Sequence, residues 1–559
     1  MALVLLFGAC SDQAEVGPAP TAAPEAATDR RVWFRDVTAK SGLDFVHEAG
    51  FTAEKHLPET MGAGAALIDV DADGDLDAYL VQGGPLPLGP EPRAVPPNRL
   101  YLNDGAGRFT DHTEASGDAA DGGYGMGVTA GDVDGDGKLD LFVTNFGADV
   151  LLLGDGAGGF TDGTAASGIR DDRWTGGAVL FDADADGDLD LYVSAYVLVD
   201  LEHPAWCGER RPGWRSTCHP DHFEGLQDRF WRNRGNGRFD DHTASAGMAD
   251  SSGKGLGVVA SDLDGDGDLD LYVANDSVEN RFWRNAGDGT FVDDTLLTGT
   301  GVNRHGATEA GMGLAAGDVD GDGDFDLYVT NFDDESNTLY RNDGGDLFTD
   351  GTVPARLEVP SRLPVGFGAV MEDFDLDGDL DLAVANGHII DNIHLYHDGK
   401  RWPQPAQLYV NRGRGVFDHE PDLAGDLGRE PLVGRGLFSG DLDGDAVPDL
   451  LLTQCGGPAL VLRNEARGPA LVVEGLPFGT RVEARTSDGR VLVRQYGGAP
   501  SYFGLCDERV FLGAGPGQSF VEITIRTVGG ERKAFAIDPP RSSGTVRFSE
   551  SEDGWQVYE

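Results

Sequence analysis

One acidic nonapeptide, Asp-x-Asp-x-Asp-Gly-x-x-Asp or a near copy, recurs seven times in the 559 residues, starting at Asp69, Asp132, Asp182, Asp262, Asp318, Asp373 and Asp441. Carboxylates at positions 1, 3 and 5 converge when the backbone wraps into a tight loop. Glycine at position 6 takes the positive φ that the turn demands. Position 7 then offers a backbone carbonyl and position 9 a further carboxylate. An all-oxygen cage of this kind suits a hard cation with roughly 6–8 ligands, which points to calcium; magnesium keeps more of its water, and zinc and copper prefer softer donors. The sequence therefore expects about six or seven calcium ions. Their ligands would be Asp69, Asp71, Asp73, Asp75 and Asp77; Asp132, Asp134, Asp136, Lys138 through its carbonyl, and Asp140; Asp182, Asp184, Asp186, Asp188 and Asp190; Asp262, Asp264, Asp266, Asp268 and Asp270; Asp318, Asp320, Asp322, Asp324 and Asp326; Asp373, Asp375, Asp377, Asp379 and Asp381; and Asp441, Asp443, Asp445 and Asp449. Lys138 at a position 7 supports the division of labour, with side chains at 1, 3, 5 and 9 as ligands. In the seventh copy Ala446 stands where the turn glycine belongs, which weakens that site.

These are not EF-hands, which need a bidentate Glu at position 12. Here that position is Leu80, Val143, Val193, Val273, Val329, Val384 or Leu452, and the loop runs straight into an apolar strand. The plain alternative makes the aspartates turn formers on a solvated surface. Against it, five like charges within nine residues repel strongly without a cation among them.

The copies are spaced by 63, 50, 80, 56, 55 and 68 residues, an interval typical of solenoids and propellers. Each unit also carries a downstream signature of an apolar or aromatic pair, Asn, a Gly-rich turn, then Phe and Asp. Leu100-Tyr101-Leu102-Asn103 with Phe109-Thr110-Asp111 is one case, and Phe230-Trp231-Arg232-Asn233 with Phe239-Asp240-Asp241 another. Four short strands per unit fit a propeller blade, so the fold class is all-β, a seven-bladed β-propeller over residues 31–465. The seventh unit loses its pattern after Leu462-Arg463-Asn464, while Trp33-Phe34-Arg35-Asp36-Val37-Thr38 carries the missing outer-strand pattern. Residues 31–38 are thus expected to close blade seven and protect its open edge.

These blades resemble FG-GAP/VCBS repeats of integrin α-subunit propellers and of bacterial relatives of cartilage acidic protein. Gly125-Met126-Gly127-Val128-Thr129-Ala130-Gly131-Asp132 and Ala385-Asn386-Gly387-His388 are similar to stretches of that group. The resemblance implies a calcium-stabilised extracellular binding scaffold. Residues 466–559 hold no Asp loop; Arg494-Gln495-Tyr496-Gly497-Gly498, Asp507-Glu508-Arg509-Val510-Phe511-Leu512-Gly513 and Val521-Glu522-Ile523-Thr524-Ile525-Arg526 resemble the ASPIC/UnbV module. Alternating apolar residues there argue for a small β-sandwich.

Net charge is −53, and the seven motifs hold 33 of the 96 acidic residues. No extended basic stripe or large Lys/Arg cluster stands out along the sequence, which argues against nucleic acid and anionic membrane surfaces as partners. Residues 1–10 resemble a lipoprotein signal ending at Cys10, so a lipid-anchored envelope or surface protein is expected, otherwise a secreted one. Residues 11–30, rich in Ala and Pro, read as a disordered linker. Export favours disulfides between Cys207 and Cys218 and between Cys455 and Cys506, the second stapling the tail to the propeller. Zinc on His203, Cys207, Cys218 and His219 or His222 is the alternative for the first pair. His388, His394, His397 and Asp391 form a second cluster, read either as a metal site or as a loop packed with histidines. The expected function is a monomeric, non-enzymatic binding or adhesion scaffold for a glycan or extracellular protein. The alternative is an exported hydrolase or lyase acting on a polysaccharide or phosphoester through segments 203–222 and 388–397.

Overall fold

The computed structural model describes residues 32–88, 94–120, 122–249, 253–344, 347–497, 501–551 and 554–558. The expectations for Cys10, the signal and the linker lie outside them. Every Asp loop joins the innermost strand of an antiparallel sheet to the second. In the fourth unit the chain runs up Gly255–Ser261, turns through the loop and returns along Asp270–Asn275. It then adds Arg281–Asn285 and the short outer strand Phe291–Asp293. All six residues of Asp270–Asn275 are buried, because the sheet is covered on both faces by its neighbours. The outer strand shows only Phe291 to the core, which explains the Phe-x-Asp signature.

Among the described residues there are seven such four-stranded sheets, and their inner strands are Ala65–Ile68, Gly125–Gly131, Thr175–Phe181, Gly255–Ser261, Leu314–Gly317, Gly366–Glu372 and Gly434–Gly440. Each inner strand touches the inner strands before and after it, and the seventh touches the first, so the sheets close a β-propeller ring. Sheet seven is completed from the other end of the chain. Phe34–Asp36 pairs antiparallel with Leu460–Asn464, with Phe34 opposite Asn464, the register that Phe291 and Asn285 hold in sheet four. Aromatic wedges fill the space between sheets; Phe181, Phe230, Trp283 and Phe291 share one cluster between sheets three and four.

After the seventh sheet, residues from Ala470 to Tyr558 build two more four-stranded sheets around Leu471, Val482, Leu512, Phe520, Ile523, Phe548 and Trp555. A segment of this tail enters the ring. Leu505 N donates to Ala65 O and Leu67 N to Leu505 O, each at 3.1 Å, while Val128 N reaches Phe503 O at 3.3 Å. Tyr502 and Phe503 stack at 3.9 Å between centroids, and Tyr502 meets Phe367 edge-on at 5.0 Å. Around them sit Met126, Leu256, Met312 and Phe367, one from each of four inner strands or their approaches. A Cβ on Gly176 would lie 2.6 Å from the Phe503 ring, so the axis accepts that ring only because the strand there is side-chain free.

The second expected disulfide is wrong. Cys455 and Cys506 are free and buried. Cys455 follows Gln454, which pairs with Gly434, whereas Cys506 faces Ser439 at the opposite end of the same hairpin, where Gly440 pairs with Asp449. Nearly a whole strand separates them, roughly 15 Å at ~3.3 Å per residue, well beyond disulfide reach. Cys455 Sγ instead donates to Glu59 O at 3.2 Å, and Cys506 Sγ accepts from Ser439 N at 3.4 Å. The tail is held by its inserted aromatics rather than by a covalent staple.

Candidate metal centres

Each Asp loop is built by its own carboxylates before any ion is considered. In sheet four, Asp262 accepts from Gly267 N at 3.1 Å, Asp264 from Asp266 N at 3.1 Å and Asp266 from Asp268 N at 3.0 Å. The backbone goes left-handed at positions 4 and 6, with φ of 80° at Gly265 and 104° at Gly267. Ala446 takes the position-6 conformation without glycine, at φ 63°, so the seventh loop keeps the turn at some conformational cost.

The arrangement brings aspartates together as a cation would need. Asp69, Asp71 and Asp77 each place one oxygen within 4.8 Å of the others; so do Asp132, Asp134 and Asp136; Asp182, Asp184 and Asp186; Asp262, Asp264 and Asp266; and Asp318, Asp320 and Asp326. The position-3 carboxylate repeatedly keeps an oxygen that no donor reaches. Oδ1 of Asp71, Asp184, Asp375 and Asp443 is buried without a hydrogen-bond partner, and in the sixth loop Oδ2 of Asp381 is orphaned as well. Buried acceptors left bare are costly, and a metal ion satisfies them. The donor set is oxygen throughout, so the residues present fit a hard cation.

Position 9 does more than the spacing indicates. Asp270 is 1 % exposed and opens the second strand. Its Oδ2 accepts from Leu263 N at 3.2 Å and its Oδ1 from Asn285 N at 2.9 Å. Asp77, Asp140, Asp190, Asp326 and Asp449 repeat this pair of contacts. Burial, opposed by those two N–H groups, lifts the carboxyls of Asp77 and Asp190 to about 7 and that of Asp140 to about 6. In Asp270 and Asp381 burial first, and then the neighbouring position-3 carboxylate, holds the carboxyl well above its usual pKa.

The third-strand asparagine, visible in the sequence only as a marker, has a structural task. Asn285 Nδ2 donates to Leu269 O at 3.1 Å in its own loop and to Ala183 O at 2.8 Å in the loop of the preceding sheet. Asn103, Asn233, Asn411 and Asn464 bridge adjacent loops in the same way. Sheet two has Gly154 at this place and lacks the clip.

Charges outside the motif also converge on it. Arg232, Arg284 and Arg341 reach the position-3 carboxylates of Asp184, Asp264 and Asp320. The tail lays further arginines on loops four to six. Arg526 donates to Gly265 O at 2.9 Å, Arg490 to Asp377 O at 3.0 Å and to Asp379 at 2.8 Å, Arg494 to Gly378 O at 3.2 Å, and Arg481 to Gly323 O. Loops one to three are left beside a cleft of about 480 Å³, walled by Asp69, Asp132, Gly187, Phe478, Tyr496 and Arg509.

A family model for FG-GAP-like repeats matches residues 69–143, 132–193, 224–273, 262–329 and 318–384, together just over half of the sequence. The chain belongs to the FG-GAP-like repeat family. Its matched repeats carry the Asp loops of sheets one to six. Cartilage acidic protein 1 of Mus musculus is 26 % identical over 396 residues, covering 59 % of this chain and 58 % of that protein. The Homo sapiens protein is 24 % identical over 393 residues, covering 59 % and 57 %. The chain thus spans less than two thirds of the length of these curated relatives. Among solved structures, an Agrocybe aegerita lectin recognising terminal N-acetylglucosamine is 17 % identical, with 66 % of this chain and 89 % of that chain covered, at a TM-score of 0.37. The rhamnogalacturonan lyase YesW is 12 % identical, with 86 % and 82 % covered, at a TM-score of 0.32. Likeness at that level carries no functional argument.

The long connections of the FG-GAP repeats meet at the end opposite the Asp loops. Segments 203–222 and 388–397 converge there: Asn392 Nδ2 donates to Gly213 O at 3.1 Å and to Arg215 O at 2.9 Å, and Trp214 meets Tyr396 edge-on at 5.3 Å. Among the described residues, His388, His394 and His397 do not gather into a metal site. His388 is fully buried, with Nε2 3.1 Å from Asp333 and Nδ1 accepting from Ile390 N, while His394 and His397 are exposed. Cys207 and Cys218 form a disulfide with Cα atoms 5.2 Å apart, which removes both thiolates from the zinc alternative. Where His219 approaches Asp276 and Tyr196 the void holds only about 10 Å³.

Proposed function

We propose that this protein is a calcium-loaded β-propeller that serves as an exported, surface-anchored binding scaffold for a glycan or extracellular protein. The observation that carries the reading is the repeated loop whose position-3 carboxylate keeps a buried oxygen without a donor. Calcium is the hard cation that best fills an all-oxygen cage of this size. Asp69 to Asp77 and its six counterparts are the ligand sets, with position 9 shared between the ion and the backbone. The tail has the ASPIC/UnbV-like pattern, and lipidation at Cys10 would supply the anchor. A monomer displaying the connections opposite the Asp loops suits this role.

Screening the calcium-loaded protein against immobilised glycans and extracellular-matrix proteins tests the reading. Saturable binding without turnover of the bound ligand supports it, and no retention on any of them contradicts it. The convergence of segments 203–222 and 388–397 favours a second reading, an exported hydrolase or lyase on a polysaccharide or phosphoester. Release of reducing ends, unsaturated products or phosphate in the same screen would favour that reading instead.

Calcium occupancy should also depend on pH in a defined direction. In the cation-free protein the carboxyls of Asp77, Asp140 and Asp190 have folded pKa values of about 6–7, above the unfolded value near 4. Their protonated forms favour folding, so this contribution is complete below about pH 4 and is lost as pH rises through 6–7. Calcium needs the ionised form and binds more tightly over the same interval. The gap in urea midpoint between calcium-loaded and chelated protein should therefore widen from pH 5 to pH 7.5. A gap independent of pH would contradict the assignment.

A further inference from the structure

We propose that the disulfide-closed hairpin Trp206–Cys218 is a receptor site for anionic polysaccharides, chains bearing carboxylate or sulfate groups on successive sugars. This deepens the binding reading above and rests on it. The chain carries a net charge of −53, yet between His203 and His219 the only acid is Glu209, against Arg210, Arg211 and Arg215. Three cations are thus collected on a small ground that the overall charge conceals.

The hairpin is rigid. Strands Cys207–Gly208 and Arg215–Ser216 pair, the disulfide closes them, and one side is docked on Asn392 and Tyr396. Guanidinium groups lie over both of its indoles. Arg211 is 3.3 Å from the Trp214 ring centroid, and Arg215 and Arg210 are 4.8 and 6.0 Å from that of Trp206. Trp206 remains 45 % exposed. A stacked guanidinium is held flat while its N–H edge stays available, the geometry that takes a carboxylate or sulfate through two parallel hydrogen bonds. Glu209 engages Arg211 Nε at 3.2 Å, and Arg210 makes no ion pair among the described residues. The uncovered indole surface can meet the C–H face of a sugar ring.

The narrowness of the patch selects a polysaccharide over a protein. Exposed Asp200, Glu202, Asp221 and Glu224 flank it in the chain. A protein interface covers about 800 Å² on each partner, so an acidic protein would run onto those carboxylates and be repelled. A single glycan strand brings about one anion per sugar and needs only the strip over Trp206 and Trp214.

The test measures binding of the full calcium-loaded chain to chondroitin sulfate and polygalacturonate, with dextran as the uncharged control, for wild type and the double variant R210S/R211S. Both arginines are exposed, and an unchanged thermal midpoint verifies that the variant folds. We expect salt-sensitive binding of both polyanions by wild type, none of dextran, and at least a tenfold loss of affinity in the variant. Polyanion binding that survives in the variant and disappears with chelator assigns the contact to the Asp-loop ions and overturns the hairpin site. Wild type that binds a protein or dextran but neither polyanion also overturns it, while leaving the scaffold reading intact. Binding of nothing at all defeats both.

Discussion

Phe503→Ala should destabilise the protein by about 3–5 kcal/mol, the range for removing a fully packed aromatic ring. The ring sits on the propeller axis, stacked on Tyr502 and pressed against the bare backbone of Gly176, with Phe503 O accepting from Val128 N. Its neighbours Met126, Leu256 and Met312 come from three different sheets or their approaches, so they cannot move together to fill the void. The loss is also more than local, because this segment holds the tail in the ring where no cystine does. Urea unfolding followed by tryptophan fluorescence would measure it, and the variant should show earlier release of the tail, detected as protease sensitivity beyond residue 466. A midpoint equal to that of wild type would mean that the axis is not a packed core.

Asp270→Ala carries the second large effect, about 3–5 kcal/mol, and most of it should persist after chelation. The substitution removes the partner of two buried N–H groups, Leu263 and Asn285, each costing about 1–3 kcal/mol when orphaned, and, on the proposed calcium reading, one ligand as well. Asp264→Ala is the informative comparison. That side chain accepts from Asp266 N and pairs with Arg284, so its loss should be felt chiefly when calcium is present. Measured in calcium and in chelator, the two variants should differ in how much of the penalty survives ion removal. Equal disappearance of both penalties in chelator would show position 9 to be a ligand and nothing more.

The Asp loops and the sheets around them were legible because their determinants are local. Carboxylates at alternate positions, a left-handed residue at position 6 and a short, continuously apolar strand all lie within about fifteen residues. The outer-strand pattern at Trp33–Thr38 was readable for the same reason, being a copy of Phe-x-Asp strands such as Phe291–Asp293. Other features depend on which distant groups the fold brings together. Nothing near Asn285 in sequence indicates that its side chain spans to Ala183 O, or that Arg526 lies on the loop of Gly265. Cysteine parity suggested a Cys455–Cys506 bond because pairing rules ignore strand direction, and the hairpin register places the two thiols at opposite ends. The insertion of Tyr502 and Phe503 has no local signature beyond two aromatics between glycine-containing segments. His388 read as a possible ligand, and only the fold reveals Asp333 and Ile390 already occupying its ring nitrogens.

The central claim is that the Asp loops are calcium sites on which the ring depends. The most direct test is thermal unfolding of the purified chain in millimolar calcium, then in excess chelator, then with calcium or magnesium restored, alongside metal analysis of the protein as isolated. Ions that bind the native loops and not the unfolded chain add stability by mass action at each occupied site. The account predicts several bound calcium ions per chain and a large fall in midpoint on chelation, reversed by calcium and not by magnesium. A metal-free protein whose midpoint is the same in all four conditions would contradict it, and would leave the loops as hydrogen-bonded turns.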